Sequence, residues 1–477
     1  MNSSWRHEPA ARDNMLKVAI IGGGLAGSAL AMAVRSAHHL DLTLVEQRAI
    51  AFDSGVTASA EAASVDAVAD RRSSALSYSS QQLLQRFGVW PDIARWAAPI
   101  EQIAVSERGQ FGQVALSSRE CGVPALGYVI PNEVLGQGML SQVARADAQR
   151  FRLRSPATLT QAQLTPEQRW VLQFDTSDGV VSDTFDLLVF ADGGKAAELC
   201  SASLTEQSGA MFEQHRHDYA QVAIIANIRS RTGHERRAFE RFIDEGAIAL
   251  LPLAGDGDLW YSLVVTVNSE RAQRINSLED AAFIDEIQRL AGFEPGIFTA
   301  VKARQSYPLS LLDMPGQIGP ACVVIGNAAH TLHPVAGQGF NLTLRDVGAL
   351  ANILTAREMQ NADATAINAG LAAYGQARYA DQRMLIEITD LLVELFMRPG
   401  STRPAVEDDR PNRWLPVSVV SALRKSRRVG FAMLNTMPFA RREFAEAAMG
   451  LWAPQAAPWQ PRQRPRIEAL AEENMPS

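Results

Sequence analysis

Cysteine is scarce: Cys121, Cys200 and Cys322 stand far apart and form no CxxC pair. That spacing excludes a disulfide framework and a redox-active dithiol, and it fits a reducing cytoplasm. Long hydrophobic runs are missing too. No stretch approaches the roughly 18 apolar residues of a membrane-spanning helix. The polar start, with Arg6, His7, Glu8, Arg12 and Asp13, has no apolar core of a signal peptide. A basic excess is also absent. Lys and Arg number 45 against 52 Asp and Glu, a net charge of -7, so the cationic surface of a nucleic-acid binder is not there and no nucleic-acid partner is expected. His215 and His217 lack neighbouring ligands, so no metal is expected. No internal repeat is present.

The chain of 477 residues accommodates two or three domains. Residues 1–14 are polar and unpatterned and read as a disordered extension. Lys17–Ile21 then reads as a strand, Leu25–Ser36 as an Ala-rich helix and Leu42–Glu46 as a second strand, a βαβ unit. Between the first strand and the helix lies Gly22-Gly23-Gly24-Leu25-Ala26-Gly27, and Glu46 closes the next strand. In this setting GxGxxG is a dinucleotide signal. Gly22 permits the turn, Gly24 lets the backbone reach a pyrophosphate, Gly27 lets helix and strand approach, and Glu46 can accept from a ribose hydroxyl.

A second glycine-rich connection, Gly326–Asp346, runs from the apolar strand Ala321–Ile325 into a helix at Leu342–Leu354. Gly337 and Gly339 allow close approach of a flat or anionic ligand, and the amides opening the helix offer unpaired donors at the positive end of a dipole. Two further stretches have candidate roles. Asp70-Arg71-Arg72 opens an expected helix that runs through Leu83, Leu84 and Phe87. Asp192-Gly193 ends the strand Leu187–Phe190, at a position where open α/β sheets bind ligands. Each has a plainer reading, as a solvated helix cap and as a turn.

From Gln221 the pattern becomes antiparallel, with strands at Val222–Ile228, Arg237–Ile243, Ile248–Leu253 and Leu259–Val267 around the turn Gly255-Asp256-Gly257-Asp258. Helical periodicity returns after Leu354 and continues to about Met397. Val417–Phe431 mixes Val, Leu and Phe with Arg424, Lys425, Arg427 and Arg428. That mixture suits either a solvated helix face or contact with an anionic membrane.

The order of these signals resembles the group A flavoprotein aromatic hydroxylases, whose fold is that of p-hydroxybenzoate hydroxylase. Within them, Asp70-Arg71-Arg72, Arg237–Phe242, Leu250-Leu251-Pro252-Leu253 and Gly326–Pro334 are most similar to ubiquinone-biosynthesis hydroxylases. The resemblance implies an α/β fold in which a Rossmann-like FAD-binding domain (15–200 and 301–355, with a loop insertion at 52–69) is interleaved with an antiparallel β-sheet substrate domain (201–300). A C-terminal helical region (356–450) and a disordered tail (451–477) would follow.

It further implies bound FAD, with NADPH the expected form of the NAD(P)H reductant. The ADP half would lie on Gly22, Gly24, Leu25, Ala26, Gly27 and Glu46, with Arg72, Asp192, Gly193, Gly326, Asn327, Gly337, Gly339, Phe340 and Asn341 as further cofactor contacts. Pro334 and His333 would face the substrate side of the flavin. Reaction with O2 through a C4a-hydroperoxyflavin would hydroxylate a prenylated phenol. Other ubiquinone-biosynthesis proteins, and the inner membrane through 417–431, are the implied partners.

Two positions depart from the family: Asn327 stands where Asp is usual, and Lys195 follows Asp192-Gly193-Gly194 where Arg is frequent. An FAD-binding scaffold without turnover, or another FAD-dependent oxidoreductase of this fold, is the alternative. The absence of a WxWxIP stretch argues against a flavin-dependent halogenase.

Overall fold

The structure, a computed structural model, describes residues 15–50, 72–109, 113–144, 150–194, 196–197, 199–200, 212–244, 246–396 and 449. Lys195, the insertion 52–69, the segment 417–431 and both termini lie outside the described residues.

A six-stranded sheet forms the centre of the cofactor half, in the order Ile318–Gly319, Cys322–Val324, Leu187–Phe190, Leu16–Ile21, Leu40–Val45, Phe151–Arg154. All neighbours pair in parallel except the short edge strand Ile318–Gly319. Its central strands are buried on both faces, which is why they read as continuous apolar runs. The helix Leu25–Val34 packs on it, made of small residues that let a second helix, Gly339–Leu354, lie directly against it.

The second layer is an eight-stranded sheet in the order His330–Thr331, Phe298–Asp313, His215–Ser230, Trp260–Asn268, Gly246–Pro252, Arg237–Ile243, Gln102–Glu107, Gln113–Ser117. It is wider than the 201–300 segment expected for it, because the hairpin strands Gln102–Glu107 and Gln113–Ser117 join one edge and Phe298–Asp313 the other. Alternation along each strand gives it two faces. One face, with Ile224, Val265, Ile248 and Leu250, is covered by the helices Ser269–Asn276 and Asp280–Ala291. The other, with Tyr219, Ala223, Phe242 and Leu309, packs against Leu332, Val335 and the long helix Ala364–Phe396.

A helix was expected to open at 70–76. Asp70 and Arg71 lie outside the described residues, and from Ser73 the chain forms instead the strand Ser73–Ser77, antiparallel to Gly127–Pro131, with the helix at Tyr78–Arg86. Ser77 provides the reason: its hydroxyl accepts from Ser80 N at 3.3 Å and caps the helix there. Small antiparallel strands at Ala157–Leu164 and Gly179–Phe185 flank Trp170–Thr176 in a separate three-stranded sheet.

Candidate functional site

The first glycine turn does what its spacing requires. Gly22 has φ +108°, and a Cβ there would lie 2.7 Å from Ala191 and Asp192 backbone atoms, so the turn and the Asp192-Gly193 strand end touch. A Cβ on Gly27 would come within 2.0 Å of Gly22 O, which forces glycine where the helix crosses its own turn. Gly24 is different: a Cβ there meets nothing within 4 Å, so its backbone faces open space at the helix start. Glu46 joins this turn to the second strand, since Gly23 N donates to Glu46 Oε2 at 2.7 Å and Arg48 N donates to Oε1 at 2.9 Å. Leu25 is half-buried and Ala26 buried beneath the same turn.

The second stretch meets the first at one residue. Gly326, with φ +68°, is so close to the two helices that a Cβ would sit 2.8 Å from Ala26 Cβ and 3.5 Å from Thr343 Cγ2. Ala26 is in the first turn of Leu25–Val34, and Thr343 is in the second turn of Gly339–Leu354. The positive ends of both helix dipoles therefore converge on Gly326. Gly339 also looks into open space, and the first intrahelical bond there runs from Leu342 N to Gln338 O at 3.0 Å. The N–H groups of Gly339, Phe340 and Asn341 thus precede any intrahelical acceptor. Asn327 is exposed beside Gly326, with Thr331 Oγ1 donating to its carbonyl at 3.3 Å.

The side chain of Asn341 is committed to the fold. Its Oδ1 accepts from Ser77 N at 2.8 Å, and its Nδ2 donates to Ala75 O and Gly337 O at 3.0 Å each. This locks the strand after Arg72 onto the turn at Gly337, whose φ is +60°. Arg72 itself is exposed at the start of that strand. The phenol of Tyr307, on the eight-stranded sheet, is raised by burial and drawn back by the charge of Arg72. Asp192 is engaged locally: Oδ1 accepts from Gly194 N at 3.1 Å and Oδ2 from Ala196 N at 2.8 Å. Gly193 is exposed with φ +86°.

Both histidines of the stretch are buried, each 1 % exposed. His330 Nε2 meets Asp346 Oδ2 at 2.5 Å, and the other oxygen of Asp346 accepts from Arg378 Nε at 2.7 Å and Gln382 Nε2 at 2.9 Å. Burial alone would raise the Asp346 carboxyl, but Arg378 and His330 outweigh it and hold it at about 2. Arg345 and Arg378 likewise overcome burial to lower Asp381. His333 Nε2 lies 3.0 Å from Gln221 Oε1, and Val335 N donates to its Nδ1 at 3.1 Å. Pro334, between His333 and Val335, is half-buried. None of Gln221, Arg378 or Gln382 carried a signal in the sequence, because each reaches this stretch only through long-range folding.

Opposite this loop, the eight-stranded sheet shows a half-open row. Ile225, Val264, Ala249 and Glu240 lie side by side across four strands and are all half-buried, with exposed Gln305 next to Ile225 on the edge strand. The row on one side is closed by Ala223, Ala247 and Phe242 against the loop; on the other, Ala238 is buried and Leu251 half-buried against the small sheet of Ser73–Ser77. Thiol chemistry is suppressed: burial pushes Cys200 up to about 12 and Cys322 well above its ordinary value.

The family described as FAD binding domain matches residues 15–387. The chain belongs to this family. Ubiquinone hydroxylase UbiL of Rhodospirillum rubrum is 30% identical over 445 residues, covering 92% of this chain and 90% of that protein. The 3-demethoxyubiquinol 3-hydroxylase of Escherichia coli K12 is 28% identical over 383 residues, covering 80% and 90%. Among solved structures, p-nitrophenol 4-monooxygenase PnpA of Pseudomonas putida DLL-E4 superposes with a TM-score of 0.64 at 14% identity, covering 92% of this chain and 98% of that one. That likeness is one of fold. In this FAD-binding family member, open glycines at two converging helix starts and an acidic residue ending the second strand suit a dinucleotide carrying a negatively charged pyrophosphate. Among the described residues no helix is long and apolar enough to cross a membrane.

Proposed function

We propose that this chain hydroxylates the ring of a prenylated phenol or quinol in ubiquinone biosynthesis, with FAD bound, NAD(P)H as reductant and O2 as oxidant. What supports this reading is that the two glycine-rich connections meet at Gly326, and that Leu332 and Val335, on either side of Pro334, pack against the eight-stranded sheet in the row beside its half-buried one. The relatives named for ubiquinone hydroxylation, matched over most of their length, support the substrate class.

FAD supplies the activation of O2, and the protein's part is to bind, orient and exclude water. Gly22, Gly24, Leu25, Ala26 and Gly27 would take the pyrophosphate, and Glu46 the ribose. Asn327 would hold the ribityl chain through an uncharged amide. Arg72, Asp192, Gly193 and Gly326 would border the cofactor, and the amides following Gly337 at Gly339, Phe340 and Asn341 would stabilise negative charge on the flavin edge. Ile225, Val264 and Ala249 offer an apolar floor for a ring with a hydrocarbon tail. Contact with the inner membrane through 417–431 completes the reading, and unchanged liposome co-sedimentation after neutralising Arg424, Lys425, Arg427 and Arg428 would remove that part.

The deciding experiment supplies FAD-loaded protein with NADPH or NADH and a panel of prenylphenols under air, and identifies products by mass and ring position. A hydroxylated product formed with stimulated NAD(P)H oxidation is expected. Bound FAD that neither nucleotide reduces would instead mark a scaffold.

A further inference from the structure

His333 is a histidine whose two ring nitrogens are both spoken for. Val335 N–H can only donate, so His333 Nδ1, 3.1 Å away, must be the acceptor. The ring proton then resides on Nε2 and is donated to Gln221 Oε1 at 3.0 Å. Turning the Gln221 amide over does not rescue the opposite arrangement, because both ring nitrogens would then have to accept, and no neutral or cationic imidazole does so. A doubly protonated ring fails as well: it would set Nδ1–H against Val335 N–H.

The surroundings fix the ring in place. Tyr219 meets it edge-on, with ring centroids 5.1 Å apart, and donates through its hydroxyl to Asp390 Oδ1 at 2.5 Å. The strand His215–Ser230 thus contributes Tyr219 and Gln221, and the helix Ala364–Phe396 contributes Asp390, to hold one loop histidine.

We propose that His333 is a neutral positioning residue, kept in its Nε2–H tautomer by the Val335 N–H and anchored to Gln221, that places Pro334 and Val335 on the substrate side and moves no proton during turnover. This role presupposes that the chain is a hydroxylase. A general acid or base needs a ring nitrogen within reach of the reacting group. Here Nδ1 is turned to the backbone of the loop itself and Nε2 to a buried amide.

Two substitutions separate positioning from proton transfer. In His333→Asn the amide oxygen can replace Nδ1 and keep the Val335 bond. In His333→Gln the amide nitrogen can replace Nε2 and keep only the Gln221 bond. With FAD-loaded proteins, product formed per NADPH oxidised should stay within about twofold of the parent for Asn. For Gln it should fall about tenfold, with peroxide released in its place, since small misplacements of a reacting group cost that much or more.

Equal loss of product in both variants, with FAD content and substrate-stimulated NADPH oxidation intact, would mean that the imidazole proton is needed, and would overturn the proposal. Failure of both variants to hold FAD would overturn it too, by assigning His333 to the fold alone. Independently of turnover, nitrogen-15 spectra of histidine-labelled protein, with His333 assigned by its loss in His333→Asn, should show the Nε2–H tautomer. An Nδ1–H or doubly protonated ring refutes it. An unmodified protein that forms no product would sink the hydroxylase reading, whereas the tautomer spectrum would still decide the state of His333.

Discussion

His330 Nε2 and Asp346 Oδ2 lie 2.5 Å apart with both side chains buried, so the loop leading to Pro334 is fastened to the helix that follows it. Arg378 holds the other oxygen of Asp346 from the long helix, at 2.7 Å. A carboxylate in such a place stabilises only while its cation is present, and the cation only while its carboxylate is.

Asp346→Asn is therefore expected to lower the free energy of unfolding by about 3–5 kcal/mol, read as a lower urea midpoint. Its pH dependence follows from the depressed folded value of about 2 against an ordinary 3.8. The contribution, about 2 kcal/mol, is complete above pH 4 and is lost as pH falls towards 2. The stability gap between parent and variant should narrow over that window. A gap that stayed constant from pH 7 to 2.5 would contradict the assignment.

Two glycines five residues or fewer from Gly22 should respond in opposite ways to the same methyl group. Gly27→Ala drives a Cβ to within 2.0 Å of Gly22 O, so poor folding and loss of soluble protein are expected. Gly24→Ala meets no neighbour within 4 Å and should leave the circular dichroism spectrum and the apoprotein melting temperature unchanged. FAD affinity should nevertheless weaken about tenfold, or about 1.4 kcal/mol, because the methyl occupies the space left for the pyrophosphate. Fluorescence titration measures it, and unchanged affinity would place the cofactor elsewhere.

Asn341→Leu strands three backbone groups, Ser77 N, Ala75 O and Gly337 O, that the amide now serves. At roughly 1–3 kcal/mol for each buried group left unpaired, a loss of several kcal/mol is expected, with FAD content falling alongside the melting temperature. Unchanged FAD content would show that the Gly337 turn does not depend on this staple.

The sequence made legible what is local. Gly22, Gly27 and Glu46 belong to one βαβ unit, and the close approaches of its turn follow from backbone geometry that short spacing encodes. The strand Ser73–Ser77 was hidden because Ser-Ser-Ala-Leu-Ser has little β-propensity of its own. It exists through pairing with Gly127–Pro131, and only then does Ser77 become a helix cap. The histidines show the same limit. His330 and His333 stand three positions apart, yet one answers to Asp346 sixteen residues on and the other to Gln221, 112 residues back. Partner choice at such distances is set by sheet register, which a single sequence does not print.

The meeting of two helix starts at Gly326 has one further consequence. Before any nucleotide arrives, the fold brings two like-signed electrostatic ends to a single point, and each disfavours the other. On the proposed reading, an anionic cofactor bordering Gly326 would act there as a counter-ion to both helices as well as a ligand.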